Sequence, residues 1–314
     1  MDILMLNEAE VQSLLDPDAL LDALAESFKA LSSNLVDAPK RIGVSVPHIG
    51  SLLAMPAYQQ DREITVKLVS IFPGNEKHGI PAHQALITLF DAQTGTPLAI
   101  MDGTCITALR TAGAAALSTR MLAPEDTRVL AIIGAGVQGH AHLQMLSRVR
   151  SFSEVRIASR NFAHAEELAA TDSRALAVGS VEEAVRGADV VCLCTDAGKP
   201  VVSFDWFAPG MHVTSVGYSP PGGELDPELI KLGHLFVETR HAFESPPAGC
   251  GELVGLDPST GTELGEVLLG RKPGRQSRDD ITVYKAMGHA CEDMAAASLV
   301  YRRARQEKKG RVIE

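Results

Sequence analysis

The sequence predicts an α/β protein in which a region built on a parallel sheet follows a region of a different pattern. From residue 128 onward, short β-branched runs alternate with Ala- and Glu-rich stretches of helical period, which is typical of βαβ units. A G-x-G-x-x-G motif lies between the first of these strands and a helix. The region before it has a different pattern, with one helical stretch followed by strand-like runs.

The first region covers residues 1 to about 118. It opens with a helical stretch, "PDALLDALAESFKAL", and continues with the strand-like runs "SLLAMP", "EITVKLVSIF" and "HQALITLFDAQTGTPLAI". The last run contains Asp91-Ala92-Gln93-Thr94-Gly95, a turn signal between two apolar segments, and therefore predicts a β-hairpin.

The second region contains a regular series of predicted strands, with helices between most of them. The strands are predicted at 128–133, 154–159, 174–178, 189–195, 212–216 and 234–239. After them, "DDITVYKAMGHACEDMAAASLVYRRARQ" predicts a long amphipathic helix, because acids come early and arginines late, as the helix dipole favours. The closing "EKKGRVIE" is predicted to be a solvated tail.

Composition narrows the possible classes of function. The chain has 314 residues, 45% of them apolar, and a formal charge of −10, so about two globular domains are expected and nucleic acid is not an expected partner. Five cysteines without Cys-x-x-Cys spacing and ten histidines without a His-Glu-x-x-His motif predict reduced thiols and no metal site. An acidic start and the lack of a long apolar run predict a cytoplasmic protein with no membrane partner.

The glycine motif is Gly134, Gly136 and Gly139 in "VLAIIGAGVQGHAHLQML". Because it lies directly between a buried-type strand and a helix, it predicts a Rossmann dinucleotide site. The first glycine allows a tight turn, the second allows pyrophosphate to approach the backbone, and the third allows helix and strand to pack closely. The first N–H groups of the helix would face the phosphates.

The end of the second Rossmann strand favours NADP(H), with NAD(H) still possible. Glu154 lies twenty residues after Gly134, but it begins the strand, roughly 15 Å from the end where the ribose binds. That end reads Ser159-Arg160-Asn161, and a guanidinium without a carboxylate favours a 2′-phosphate.

Two cations in the first region have unusual settings. Lys67 interrupts an apolar strand, and Arg110 is flanked by small apolar residues in "ITALRTAGAAAL". A largely buried Arg110 needs an anionic partner, from the protein or from a ligand. A substrate carboxylate held by both cations would meet this need, and Arg41, which begins "RIGVSVP", is a third candidate.

The chain resembles the ornithine cyclodeaminase/mu-crystallin family over essentially its whole length. The resemblance is carried by "LLAMPAY", "TVKLVSIFPGN", "PAHQALITLFDAQTGTPLAIMDG", "ITALRTAGAAALSTRML", "IIGAGVQG", "VGYSPPGGELD" and "YKAMGHACEDMAAASLVY". It implies a homodimer in which a Rossmann NAD(P)-binding domain, at 119–284, is inserted into an α+β domain. This second domain, at 1–118 and 285–314, would bind the substrate and form the dimer. The resemblance also implies an α-amino or α-imino acid as the substrate.

The resemblance further implies roles for individual residues. Substrate-carboxylate ligands fall on Arg41, Lys67 and Arg110. The cofactor contacts that it implies, together with those expected from the strand end and the glycine loop, are Thr111, Gly134, Gly136, Val137, Gln138, Gly139, Ser159, Arg160, Asn161, Thr195, Val216 and Gly217.

Ser219 distinguishes the chemistries found in the family. In members that cyclise ornithine an aspartate takes this place, and a serine hydroxyl can neither pair with an ammonium group nor act as a carboxylate base. The segment Gly217-Tyr218-Ser219-Pro220-Pro221 also resembles the nucleophile turn of hydrolases, but Pro221 stands where that turn needs glycine. Ser219 is therefore expected to lie beside the nicotinamide in an enzyme that is not an ornithine cyclodeaminase.

These expectations lead to NADP(H)-dependent reduction of a small cyclic or linear α-imino acid. The imine proton would come from Lys67 or from a water held by Ser219. The alternatives are an amino-acid dehydrogenase, of the alanine dehydrogenase type, or an ornithine cyclodeaminase of the same family. A non-catalytic NADP(H)-dependent binding protein is a further alternative, from a different class.

Overall fold

The computed structural model describes residues 2–313 and divides them between two sheets with their helices. The strands are β1 (Ile3–Leu6), β2 (Val36–Asp37), β3 (Ile42–Val46), β4 (Gly50–Gln59), β5 (Ile64–Ile71), β6 (His83–Phe90), β7 (Pro97–Asp102), β8 (Val129–Ile133), β9 (Glu154–Ala158), β10 (Ala175–Ala177), β11 (Val190–Leu193), β12 (His212–Ser215), β13 (His234–Val237), β14 (Thr262–Glu263), β15 (Thr282–Lys285) and β16 (Arg311–Ile313). The α-helices are α1 (Glu8–Leu14), α2 (Pro17–Leu31), α3 (Thr104–Leu122), α4 (Val137–Leu146), α5 (Phe162–Ala169), α6 (Val181–Val185), α7 (Pro227–Leu232), α8 (Leu264–Leu268) and α9 (Ala290–Glu307).

The first compact unit consists of Met1–Arg110 with His289–Glu314. Its sheet has the order β16-β1-β7-β6-β5-β4-β2, with β3 also paired to β4. Side chains alternate between the two faces of these strands, so Met55, Lys67 and Ile87 share a buried face while Leu68 and Leu86 lie on the other. Helix α9 packs against β4, β5 and β6, and α2 packs against α9. The predicted hairpin is confirmed as β6 and β7.

The second compact unit is Thr111–Gly288, which the sequence inserts between the two segments of the first. Its strands are all parallel, in the order β10-β9-β8-β11-β12-β15-β13-β14. The order 3-2-1-4-5 of the first five strands along the chain is that of a Rossmann sheet. The predicted α/β class with a parallel sheet is therefore confirmed.

The long helix predicted across "DDITVYKAMGHACEDM" is wrong in its first part. Thr282–Lys285 form β15, a central and fully buried strand between β12 and β13. Its β-branched and aromatic residues fit a sheet better than a helix. Gly288 then takes a left-handed conformation with φ of 73°, and α9 begins at Ala290, capped by the side chain of His289.

The predicted solvated tail is also wrong in part. Helix α9 ends where Lys308 takes a left-handed φ of 55°, and Arg311–Ile313 then pair antiparallel with β1. Their side chains are exposed, as the polar composition indicated. The composition did not indicate that the backbone pairs with β1. The predicted domain boundary 118/119 falls inside α3. The boundary 284/285 falls at the end of β15.

Candidate functional site

Four buried ionisable side chains meet in the first unit. Lys67 comes from the inward face of β5, Arg110 from α3, and Glu292 and Asp293 from the first turn of α9. Lys67 Nζ lies 2.7 Å from Asp293 Oδ2, and Arg110 Nε donates to Asp293 Oδ1 at 2.9 Å. Arg110 Nη1 also donates to Glu292 Oε2 at 3.2 Å. The anionic partner that the sequence required for Arg110 is therefore present in the protein itself.

Burial makes the charges of this cluster depend strongly on one another. Burial and the nearby Arg110 lower the pKa of Lys67 to about 8, against the opposing effect of Asp293 and Glu292. Although burial raises the pKa of Asp293, the neighbouring Arg110 and Lys67 hold it below its ordinary value. Two cations thus balance two carboxylates, and burial makes Lys67 easier to deprotonate than an exposed lysine.

Arg41, the third predicted carboxylate ligand, lies one residue before β3 and is half-buried. Strand β3 pairs with β4, which in turn pairs with β5, the strand that carries Lys67. The contacts above join Lys67 and Arg110 through Asp293 and do not include Arg41. A shared role for all three cations therefore stays a prediction.

The glycine loop of the second unit has the space that a dinucleotide needs. Gly134 has φ of 104°, and a Cβ there would lie 2.5 Å from the carbonyl oxygen of Cys194. A Cβ at Gly139 would lie 2.2 Å from the carbonyl oxygen of Gly134, whereas a Cβ at Gly136 would meet nothing within 4 Å. Gly136 is the N-cap of α4 and offers no side-chain cap, while Val137 and Gln138 begin that helix. The helix terminus is thus open to an anion, and these residues fit a pyrophosphate.

The end of β9 presents Ser159, Arg160 and Asn161 as the sequence indicated. Arg160 is exposed, and the side chain of Asn161 accepts a hydrogen bond from Ala163 N as the cap of α5. Glu154 is at the opposite end of β9 and pairs with Arg156 at 2.5 Å. The carboxylate suggested by sequence spacing is therefore not at the ribose end of the strand.

Glu224 ties together the carboxyl ends of β11 and β12. Its Oε2 accepts from Thr195 N at 2.8 Å and from Thr195 Oγ1 at 2.6 Å. Its Oε1 accepts from Gly217 N at 2.6 Å and from Ser215 Oγ at 2.9 Å. A buried carboxylate with four donors is fully satisfied. Two of the predicted cofactor residues, Thr195 and Gly217, are therefore held by one side chain.

Lys285 supports the same edge from β15. It is fully buried, and its Nζ donates to the Gly217 carbonyl at 2.7 Å and to Ser215 Oγ at 3.0 Å. It also pairs with Glu252 Oε2 at 2.6 Å, while Glu252 Oε1 accepts from Leu225 N at 2.9 Å. Buried charges at this edge are thus paired and hydrogen-bonded, as burial requires.

The remaining predicted residues lie near these groups in the chain. Val216 N donates to the Leu193 carbonyl at 3.1 Å, which continues the pairing of β12 with β11. Ser219 is half-buried in the loop after β12 and forms an isolated bridge with Gly222. Thr111 is buried on α3, directly after Arg110.

Sequence reasoning missed Glu292, Asp293, Glu224 and Lys285. The two α9 acids were interpreted only as charges that suit a helix dipole, although small apolar residues follow them in "CEDMAAASLV". That setting is the same signal that identified Arg110, and it could have predicted their burial. Glu224 follows a Gly- and Pro-rich segment that gives no local signal of burial, and its role depends on a fold that brings Thr195 to it.

Neither a metal cluster nor a spanning helix is found in the described part of the chain. Across residues 2–313, His, Cys, Asp and Glu side chains form no group of three or more that could hold a metal ion. The helices within the same residues are too short or too polar to cross a membrane.

Known proteins resemble the chain along its whole length. The sequence model of the ornithine cyclodeaminase/mu-crystallin family matches residues 1–308. A ketimine reductase mu-crystallin of Mus musculus is 38% identical over 304 residues, which are 94% of this chain and 96% of that protein.

Solved structures give the same result. A Δ1-pyrroline-2-carboxylate reductase of Thermococcus litoralis, in complex with NADH and L-proline, has a TM-score of 0.94 at 31% identity and covers 99% of this chain and 100% of its own. An archaeal alanine dehydrogenase dimer with bound NAD has a TM-score of 0.92 at 31% identity and covers 100% of this chain and 99% of its own.

Proposed function

The chain belongs to the ornithine cyclodeaminase/mu-crystallin family, and from that premise we propose that it is an NADP(H)-dependent imino-acid reductase of the ketimine reductase type. The observation that carries the proposal is the buried pair of cations, Lys67 and Arg110, in the unit that does not hold the glycine loop. Related proteins whose names describe reduction of ketimines and of Δ1-pyrroline-2-carboxylate support the reaction class. The substrate is a small cyclic or linear α-imino acid.

The substrate carboxylate is held by Arg41, Lys67 and Arg110. Guanidinium and ammonium groups form charge-assisted hydrogen bonds with a carboxylate and fix its orientation. Glu292 and Asp293 already balance Lys67 and Arg110, so a third cation, Arg41, is needed to balance the added negative charge. This balance of charges favours a substrate with one carboxylate.

NADP(H) is the cofactor that we propose, with NAD(H) as the alternative. A reduced nicotinamide, when bound, supplies a hydride. Gly136 leaves room for the pyrophosphate, whereas Gly134 and Gly139 allow the close backbone packing of the loop. Val137 and Gln138 lie in the first turn of α4. Support for a 2′-phosphate comes from exposed Arg160 between Ser159 and Asn161. Two similar structures contain NADH or NAD, so the preference needs a direct test.

Proton supply to the imine nitrogen is assigned to Lys67 or to a water held by Ser219. Lys67 has a pKa of about 8, which is close to the range in which a general acid works best. Ser219 carries no charge, and we therefore propose that the protein does not cyclise ornithine, because that reaction needs a group that can pair with the side-chain ammonium.

We also propose that the protein is a homodimer that pairs through the exposed face of the first sheet. Leu52, Leu68 and Leu86 are 41%, 38% and 53% exposed on this face, and Val44 of β3 is 65% exposed. Along β4, β5 and β6 the residues that share this face are all uncharged. An uncharged face that exposes several large apolar side chains is uncommon on a monomer, and one similar structure is described as a dimer.

The function can be tested with a spectrophotometric panel of substrates and cofactors. The panel contains Δ1-pyrroline-2-carboxylate, Δ1-piperideine-2-carboxylate, mixtures of a 2-oxo acid with an amine, alanine, proline and ornithine, each with NADPH or NADP and with NADH or NAD. We expect oxidation of NADPH with at least one ketimine. Ammonia release from alanine or ornithine without ketimine turnover would instead identify a dehydrogenase or cyclodeaminase. Tight NADPH binding without any turnover would indicate a binding protein.

A further inference from the structure

Asp293 is placed between the two buried cations of the first unit. One carboxylate oxygen lies 2.7 Å from Lys67 Nζ and the other accepts from Arg110 Nε at 2.9 Å. Asp293 itself is fully buried. The helix dipole favours an aspartate in the first turn even when the side chain is exposed, so it does not require this burial. The two cationic contacts therefore indicate another role.

The direct cross-strand neighbours of Lys67 are apolar. Its neighbours across the sheet are Met55 on β4 and Ile87 on β6, both buried. Three charged groups act on it: Arg110 from α3, and Asp293 and Glu292 from α9. Burial and Arg110 oppose a charge on Lys67, whereas the two carboxylates favour it. Asp293 is the carboxylate in direct contact with Lys67.

We propose that Asp293 is a positioning residue that keeps Lys67 in place as an ammonium group, from which Lys67 donates the proton to the imine nitrogen. This inference rests on the proposed function, and it selects Lys67 over a water at Ser219. Arg110 is not a substitute, because a guanidinium keeps its proton at any pH at which the enzyme would work. Its part is to bind the substrate carboxylate.

The step is balanced in atoms and electrons. The imine carbon accepts the hydride, the π pair of the C=N bond moves to nitrogen, and a new N–H bond forms with the proton from Lys67 Nζ. The substrate is reduced by two electrons and the reduced nicotinamide is oxidised by two. Lys67 is left as a neutral amine next to the Asp293 carboxylate, and it regains a proton from water before the next turnover.

The experiment compares the pH dependence of kcat for the Asp293→Asn and Glu292→Gln variants with that of the unmodified protein, using one ketimine throughout. Loss of the Asp293 charge should move the alkaline decline of kcat at least about one pH unit lower, because Lys67 loses its nearest anion. Glu292→Gln removes one charge from the same cluster and keeps an acceptor for His289 N, yet it leaves the contact with Lys67 intact. Its shift should be less than half as large.

The substrate titrates in the same way in every assay. Its effect therefore cancels when the pH profile of a variant is compared with that of the unmodified protein. An Asp293→Asn profile with its alkaline decline at the pH of the unmodified protein would overturn the inference. Lys67→Arg, which cannot titrate in this range, should lose the alkaline decline of the enzyme and most of kcat. Full activity of Lys67→Arg would instead assign the proton to the Ser219 water.

Folding and function are monitored separately. Circular dichroism and thermal unfolding establish whether each variant is folded. If Asp293→Asn does not fold, Asp293→Glu replaces it, and a lower kcat with an unshifted profile is expected because the charge is kept but displaced. An unchanged kcat in that variant would overturn the role of Asp293. If the unmodified protein reduces no imino acid in the panel, the proposed function fails instead.

Discussion

Two buried histidines, His142 and His212, make the stability of the second unit depend on pH. His212 is fully buried, with Nδ1 2.9 Å from Thr282 Oγ1 and Nε2 3.2 Å from Ser118 Oγ. Burial and the nearby Arg275 and Arg150 lower the pKa of His212 to about 3. Burial also lowers the pKa of His142 to about 4. Both side chains are therefore neutral in the folded protein at pH values where the unfolded chain binds protons.

Acidification is expected to destabilise the protein through these histidines. The folded pKa values lie below the unfolded value of about 6.5, so stability is lost as pH falls from about 6.5 towards 3 or 4. Between pH 7 and pH 5 each histidine should contribute a loss of about 2 kcal/mol in the free energy of unfolding. Urea unfolding at both pH values measures this. His212→Gln should lose less stability than the unmodified protein over the same interval, and an equal loss would contradict the prediction.

Arg160 is expected to set the cofactor preference. Replacement by alanine should lower the ratio of kcat/KM for NADPH to that for NADH by about 10- to 100-fold, because one charge-assisted contact with a phosphate is worth about 1.5 to 3 kcal/mol. Steady-state kinetics with both cofactors gives the ratio. Arg156→Ala is the matched control, since Arg156 lies on β9, shortly before Arg160, but pairs with Glu154. An unchanged ratio in Arg160→Ala would remove the basis for NADP(H).

At the scale of elements, the ends of three parallel strands are joined by buried carboxylates and one lysine. Glu224 links the segments that follow β11 and β12, and Lys285 of β15 links the same edge to Glu252. Ligands of open α/β sheets bind at the carboxyl ends of the strands. These side chains therefore shape the edge where a nicotinamide is expected.

Glu224→Gln should weaken cofactor binding. An amide has only one acceptor oxygen, so at least one of the donors Thr195 N, Thr195 Oγ1, Ser215 Oγ and Gly217 N would lose its partner. We expect the Kd for NADPH to rise about tenfold, which corresponds to roughly 1.4 kcal/mol. Fluorescence titration measures it. Glu228→Gln, on the exposed surface of α7, should bind NADPH as the unmodified protein does; equal affinities for both variants would argue against the role of Glu224.

At the scale of the whole molecule, each unit has its own sheet, and the first sheet leaves one face exposed. That face is uncharged across β4, β5 and β6 and exposes Leu52, Leu68 and Leu86, while the opposite face is covered by α9. A second copy of the chain would remove this apolar surface from water, which is the main source of stability in subunit association.

A charge on this face should separate the proposed dimer. Leu68 and Leu86 are direct partners on β5 and β6, and Leu68→Glu with Leu86→Glu would place two carboxylates at the centre of the interface, where their desolvation opposes association. Light scattering coupled to size-exclusion chromatography should show a monomer for the double variant and a dimer for the unmodified protein. Leu232→Glu, which is exposed on α7, should remain a dimer. A monomeric unmodified protein would refute the proposed homodimer.

Most of the secondary structure could be predicted because local periodicity reports which faces are buried. The hairpin of β6 and β7 and the strands β8 to β13 follow from alternation and turn signals, and the glycine motif located the start of α4. The strand β15 was misread because it leads into α9 through a short loop, and the combined stretch has acids before and arginines after an apolar segment. Neighbouring strands, which the local pattern does not contain, decide that Thr282–Lys285 join a sheet.

The sequence by itself determined the α/β class, the parallel sheet, the glycine loop and the burial of Arg110, because each depends on residues close together in the chain. Only the tertiary structure decided what neutralises Lys67 and Arg110. Asp293 lies 183 residues from Arg110 in the chain, and its carboxylate reaches both cations because α9 packs on the sheet that carries Lys67. Buried charges must find their partners in space, and sequence distance says nothing about which partner that is.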